Sequence, residues 1–507
     1  MTEPRPLAAV DLAVLVGYLV LTVGLGFLFA RRAGQSDRFM AGDRNLPAWA
    51  VGMSIFGSYV SSISFLANPG SSYAGNWNPF VFSLATPFAA YVAIKWFVPF
   101  YRKSGEVSAY HHLEQRFGNW ARTYAVVCYL LTQLARTGTI IYLLAIAVAP
   151  LTGWSPYFLI LMTGSMMTIY TVVGGMEALM WIGVLHSLVL LAGPLICLAA
   201  LAAVIPGGLS AVFPVAAAHD KFSLGSFSPD LTTSTVWVVL AYGFVINLAN
   251  FAVDQGYIQR YITAESDKAA ARSVWLGSLL YVPVAAIFFL IGTSLFAWTQ
   301  LVPAAVPAGT VNDQVFPWFI ATQLPIGMAG IVVAGIFAAA LDPSLNSMAT
   351  LILRDIYQGY IDPTPSERTS VWILRLTTCL AGVLATIVAL AMTQVASILK
   401  TWWELAGIFN GGVLGLILLA RLPKERLSSR WASLAVNAGI FVVLWMTLSP
   451  RWADAPAWAK NPLHPFMTPV IGTIVILGIG LLGTIRDRGV AICWLIWHTV
   501  RRLPPTD

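Results

Sequence analysis

Ser58, Ser61 and Ser64 recur at i, i+3 and i+6, the spacing that lines side chains along one face of a helix. They lie in residues 47–72, a segment long enough to cross a bilayer yet interrupted by Gly57, these hydroxyls and Asn68-Pro69-Gly70. Lipid leaves no backbone polar group unpaired, so such a span is tolerated only where protein or water covers it. Broken helices of this kind are how secondary transporters build solute and ion sites near the membrane midplane. Close helix packing through small serines is the plainer alternative. Arg136 sits deep in the apolar segment 122–150, where a charge costs at least about 2.5 kcal/mol and needs a partner or a watery cavity. Its fork matches a carboxylate bidentately; a structural pair with Asp254, Asp342 or a carbonyl is the competing reading. Asn247, Asn250 and Asp254 interrupt a second apolar segment, 235–255. His186 and Asp342 are ionisable groups within spans, and either could carry a proton, although a lone helical histidine is more often a satisfied hydrogen-bonder. This is the chemistry of recognition. No clustered His/Asp/Glu set or nucleophile motif stands at an interface, and the chain reads as a non-enzyme.

The elements that must position these residues are membrane spans. With 58% hydrophobic residues, 10% charged residues and a mean hydropathy of +0.75, an all-α integral membrane protein is expected. Thirteen spans are expected, at about 9–30, 47–72, 78–100, 122–150, 155–173, 180–204, 235–255, 272–298, 326–353, 371–393, 397–420, 430–448 and 466–485, each near the roughly 20 residues a bilayer requires. Alternate connections (31–46, 101–122, 174–180, 256–272, 354–375, 421–430) and the C-terminal tail carry 22 of the 29 Lys and Arg residues. The positive-inside rule then places the N-terminus outside and the C-terminus in the cytoplasm of a cytoplasmic (inner) membrane. The net charge of +7 reflects that bias and no nucleic-acid partner; the partners are a small solute and membrane lipid, and the oligomeric state stays open. Four scattered cysteines argue for neither metal nor disulfides. The polar stretches 205–234 and 300–325 read as outer loops with short helices.

Five segments in order carry a resemblance: 39–47 (FMAGDRNLP), 110–117 (YHHLEQRF), 169–178 (IYTVVGGMEA), Asp254-Gln255 with Ile258-Gln259-Arg260-Tyr261, and Ser344-Leu345-Asn346-Ser347. Together they resemble the sodium/solute symporter family, over roughly residues 10–425, with the sialic acid and organic-solute branch closest in character. The resemblance implies an inverted repeat of five plus five helices, with the first helix of each repeat broken. Residues 1–46 would be an extra helix and inner loop, 47–204 the first repeat, 205–425 the second with its outer loops, and 426–507 two further helices and a tail. It also implies that Arg136 binds a substrate carboxylate and that Ser61 and Ser64, with Ser58, face the solute. Tyr59 stands where relatives carry a smaller polar side chain. Asn247 and Asn250 align with solute-facing positions of sugar carriers.

The implied sodium site is where the sequence departs. Carbonyls of Gly57, Val60 and Ile336 remain, but Ala339 and Ala340 occupy positions where relatives carry hydroxyls. A Thr-Asp pair of an accessory site is replaced by Ile182-Gly183. Three carbonyls are few for a bare ion in a low-dielectric site. The expectation is therefore a carrier of a small carboxylated solute, sialic acid-like or another organic acid, with sodium coupling weakened or absent. Either a proton passed through Asp342 or His186, or no coupling ion, would take its place. A sodium-coupled sugar symporter with an altered ion site and a transporter-derived sensor are the alternatives.

Overall fold

The computed structural model describes residues 6–302, 305–307, 310–341, 344–393, 412–422, 427–452 and 456–501, with side chains through Arg486 apart from 62, 63 and 313. It is an all-helical bundle. Its main elements are α1 (Ala9–Leu28), α2 (Ala48–Tyr59), α3 (Ser62–Ala74), α4 (Asn78–Ser104), α5 (Asn119–Thr152), α6 (Pro156–Val204), α7 (Val236–Ala252), α8 (Gln255–Ile262), α9 (Asp267–Leu301), α10 (Met328–Ala340), α11 (Ser344–Leu351), α12 (Glu367–Met392), α13 (Ser429–Leu448) and α14 (Met467–Arg501). Among the described residues nine helices are long and apolar enough to cross a membrane, and two bent pairs pass the same test together. The expected outer loops do hold short helices, at Gly208–Ala218 and Asn312–Gln323. Asp342 and most of the expected span 397–420 lie outside the described residues.

The 49-residue α6 covers two expected spans. Gly175 divides it at φ 60°, ψ −165°, a conformation that side-chain-bearing residues rarely adopt. A Cβ there would also stand 3.1 Å from the Phe39 Cα. Both interrupted spans are broken. α2 and α3 meet at 52°, α7 and α8 at 54°.

Neighbouring helices hold the first break from both sides. α6 and α9 flank α2, and at Gly183 the approach is so close that a Cβ would lie 2.5 Å from the Ser54 hydroxyl. Small residues let helices meet in this way where lipid offers no hydrophobic drive between them. Beyond the break, Lys221 donates to the carbonyls of Tyr73 (2.7 Å) and Gly75 (2.9 Å) at the C-terminal end of α3. A cation suits the orphan carbonyls of a helix end.

Asp11 of α1 does the opposite at the start of α10. Its carboxylate, 2% exposed, accepts from the backbone N–H groups of Gly327 (2.7 Å) and Gly330 (2.8 Å). An anion there satisfies orphan donors and the helix dipole together. On the side rich in Lys and Arg, Arg122 and Asp355 pair at 2.6 Å, and Asp355 also accepts from Ser108 at 2.7 Å.

Replacing Asp11 by Ala strands two backbone N–H groups, one buried and one half-buried, so it is expected to cost about 2 kcal/mol. It should visibly lower the melting temperature of the purified protein, and Asp11→Asn, which keeps one acceptor oxygen, should lower it less.

Candidate functional site

Each break leaves helix-end groups that must find partners inside the bundle. At the first, Val60 (φ −88°, ψ 91°) and Ser61 (φ −91°, ψ 170°) are extended, which frees the last carbonyls of α2. Arg136 of α5 answers one of them, its guanidinium donating to the Ser58 carbonyl at 3.4 Å. At the second break Asp254 caps α8. One carboxylate oxygen accepts from Gly256 N (2.8 Å) and Tyr257 N (3.2 Å), the other from the Gln133 amide (2.7 Å). Three donors thus meet this carboxylate where the helix restarts.

Two cavities open at these breaks, and Arg136, Ser58 and Ser61 line both. The larger, about 240 Å³, lies between the two broken helices and α5. Ser58, Tyr59, Ser61, Ser64, Arg136 and Asn250 face it as the sequence suggested. The serines, however, do not share one helical face, because the chain breaks between Ser58 and Ser61. It is the break that brings all three to one cavity. The Ser58 hydroxyl is spent on the Ser54 carbonyl (3.0 Å). Asn247 is not among the lining residues: it is fully buried, donating to the carbonyls of Gly243 (2.8 Å) and Phe82 (3.3 Å).

Sequence reasoning missed much of the wall. Tyr129, Thr132 and Gln133 precede Arg136 on α5 at i, i+3, i+4 and i+7, a single-face pattern that was there to be found. Tyr242, Tyr257, Tyr281, Phe82 and Phe466 come from five other segments, and no periodicity links them. Tyr59 stacks among Tyr257, Tyr281 and Phe251 at 5.0–5.8 Å. The Thr132 hydroxyl and the Gln133 carbonyl oxygen are buried without a hydrogen-bond partner among the described residues. Buried polar groups are ordinarily paired, so these are ready to meet a polar ligand.

The smaller cavity, about 20 Å³, gathers three of the five residues assigned to the ion position, Gly57, Val60 and Ala339. Ile336 and Ala340 have buried side chains on α10, outside its lining. His186 lines it too, 4% exposed, with its ring 6.0 Å from that of Tyr18. Asp342, the other residue considered as a proton carrier, lies outside the described residues. Arg260, read from sequence only as part of a motif, also lines this cavity, 3% exposed, with its guanidinium 5.5 Å from the Tyr257 ring.

The model of the sodium:solute symporter family matches residues 39–435. The chain is 30% identical over 482 residues to the sodium/sialic acid symporter SiaT of Proteus mirabilis, covering 94% of each chain. It is 29% identical over 487 residues to the sodium/sialic acid symporter NanT of Aliivibrio fischeri, covering 95% of this chain and 94% of that one. A solved structure of a Na+-coupled sialic acid symporter, substrate-bound and outward-open, superposes with a TM-score of 0.86 at 29% identity, over 94% of this chain and 97% of that chain. Mhp1, a nucleobase-cation-symport-1 family transporter, superposes at 0.54 with 15% identity, over 89% and 94%, which speaks for the fold alone.

Gln133→Leu removes the amide that donates to one Asp254 carboxylate oxygen. Losing a hydrogen bond to a charged group is expected to cost about 1.5–3 kcal/mol, read as a lower melting temperature. Gln133→Glu, which sets two carboxylates together, should lower it further.

Proposed function

Since the chain belongs to the sodium:solute symporter family, we propose that it is a sodium-driven secondary transporter of a small carboxylated solute, sialic acid or a related polyhydroxylated acid. The observation that carries this reading is Arg136 at the wall of the larger cavity, beside buried hydroxyl and amide groups that await partners. A fixed guanidinium selects a carboxylate; hydroxyls and amides suit a polyol backbone, and the tyrosine rings suit its apolar face. A cavity of about 240 Å³ is near the lower end of common ligand sites. Ser61, Ser64, Tyr59 and Asn250 are the other solute contacts in this reading.

Sodium is the coupling ion in this reading. The expectation of weakened or absent coupling is set aside, because the relatives above are sodium/sialic acid symporters and the superposed structure is of a Na+-coupled one. The physical reason is that Ala339 and Ala340 remove side-chain oxygens only. The carbonyls of Gly57, Val60 and Ile336 do not depend on residue type, and Ser54, Ser58 and Ser61 line the small cavity that Gly57 and Val60 reach. Proton movement through His186 and Asp342 loses its motive with that expectation. In this reading ten of thirteen spans form a five-plus-five inverted repeat with the two observed bends heading its halves. The N-terminus is outside and the C-terminus in the cytoplasm, and access alternates around the midplane cavity.

Thermal melting of the purified protein with sialic acid, small organic acids and neutral sugars, each in sodium and in choline, tests this. A carboxylated ligand at about 100 times its dissociation constant should stabilise by about 2.7 kcal/mol, in sodium and not in choline. Arg136→Ala should weaken that ligand at least about thirtyfold, the equivalent of about 2 kcal/mol. Equal stabilisation in choline counts against sodium coupling, and a response to neutral sugars alone counts against the role of Arg136. Uptake into proteoliposomes separates a carrier from a sensor, which would bind without turnover.

A further inference from the structure

One wall of the larger cavity comes from an unexpected part of the chain. Phe466 lines it, although it belongs to the connection between α13 and α14, the helix pair that the sequence places outside the ten-helix core. Its ring stacks on Tyr242 at 4.5 Å and 14°, and Tyr242 in turn meets Phe82 at 5.7 Å. All three rings line the cavity. They therefore form a continuous aromatic wall from α4 across α7 to the α13–α14 connection. That end of the cavity lies opposite the Lys/Arg-rich connections, on the side read as outer.

The segment that presents Phe466 is tied down by its own hydrogen bonds. Asn461 N donates to the buried Ser449 hydroxyl at 2.9 Å, and the Asn461 amide donates to the Met446 and Leu463 carbonyls at 3.2 Å each. Leu463 N donates back to the Asn461 side chain at 3.1 Å. His464 N donates to the Leu231 carbonyl at 2.9 Å, binding the segment to the loop before α7. Phe466 N donates to His464 Nδ1 at 3.3 Å, and the His464 ring packs edge-on against Phe466 at 4.7 Å. Trp445 Nε1 closes the base on the Ala459 carbonyl at 2.9 Å. Two elements of the core and one outside it are thus fixed to a single ring.

We propose that Phe466 is a specificity-determining residue: held by residues 456–466 as a strap, it forms the outer wall of the solute cavity and limits the size of what can enter and stay. The physical ground is packing. An aromatic pair at stacking distance excludes anything larger than the gap it leaves and offers a flat apolar face to a ring-shaped solute. Because the strap is anchored to α13, this wall is set by the peripheral helix pair. The role as a wall of the solute site rests on the reading above; the limit on entry does not.

Two experiments in the full-length protein separate the two. In a chain whose four native cysteines are replaced by serine, Asn250→Cys places a thiol in the cavity. Its rate of modification by a membrane-impermeant methanethiosulfonate is measured from the outer side. Phe466→Ala should raise that rate severalfold, Phe466→Leu less, and Phe466→Trp should leave it level or lower. Asn461→Ala, which loosens the strap without touching the cavity, should raise it as well and keeps the test alive if Phe466→Ala fails to fold. Rates unchanged by Phe466→Leu and Asn461→Ala overturn the proposal. In the second experiment, Phe466→Ala should weaken sialic acid binding and widen tolerance for bulkier acids, whereas Arg136→Ala removes binding of all acids alike. If sialic acid binding is insensitive to Arg136 but the thiol is unmasked by Phe466→Ala, the wall stands and the solute assignment falls. If Arg136 matters and Phe466 affects neither readout, the wall falls alone.

Discussion

An apolar helix bundle has no water to spare for an unpaired backbone group, and two of its helices are nonetheless broken. Everything near the cavities is an answer to that constraint. The carbonyl end of α2 is met by Arg136, a cation at the negative end of a helix dipole. The amide end of α8 is met by Asp254, an anion at the positive end, which Gln133 then steadies from the same face of α5 that carries Arg136. One helix face therefore serves both breaks, and the larger cavity lies beside it. The groups left without partners there among the described residues, on Thr132 and Gln133, are those a polar solute would satisfy.

Keeping a helix broken requires that it neither straighten nor collapse. α2 is clamped where Gly183 lets α6 approach the Ser54 side chain, and the far end of α3 is pinned by Lys221. Asp11 adds a clamp from outside the core, tying α1 to the start of α10. The same logic extends to the strap beneath Phe466. Peripheral helices, which add nothing to the two breaks themselves, hold residues that shape the cavity and its surroundings.

Much of this was legible in the residues. Serines, a glycine and a proline in a span-length segment mark a break because helix interiors tolerate them poorly without cover. Arg136 marks a polar cavity because a charge at that depth has nowhere else to go. Asp254 within apolar sequence marks the second break, and as an N-cap it also explains why the helix restarts there. The family followed from five motifs in order. The face of Tyr129, Thr132, Gln133 and Arg136 is legible from helical spacing.

Other features belong to no segment by itself. Asn247 and Asn250 look alike in sequence, three residues apart on one helix. Only the neighbour across the bundle decides that Asn250 faces the cavity while Asn247 spends its amide on Phe82 and its own helix. Arg260 is a motif letter until folding brings it beside Val60 and His186. Phe466 becomes part of the site only because a strap some 200 residues away in sequence folds back onto Tyr242. Hydrophobicity, charge bias and helix-breaking chemistry are local, so the chain alone determines a membrane bundle with two broken helices and an arginine within a span. Which side chains converge is set by the close packing of helices distant in sequence, and the tertiary structure alone decides it.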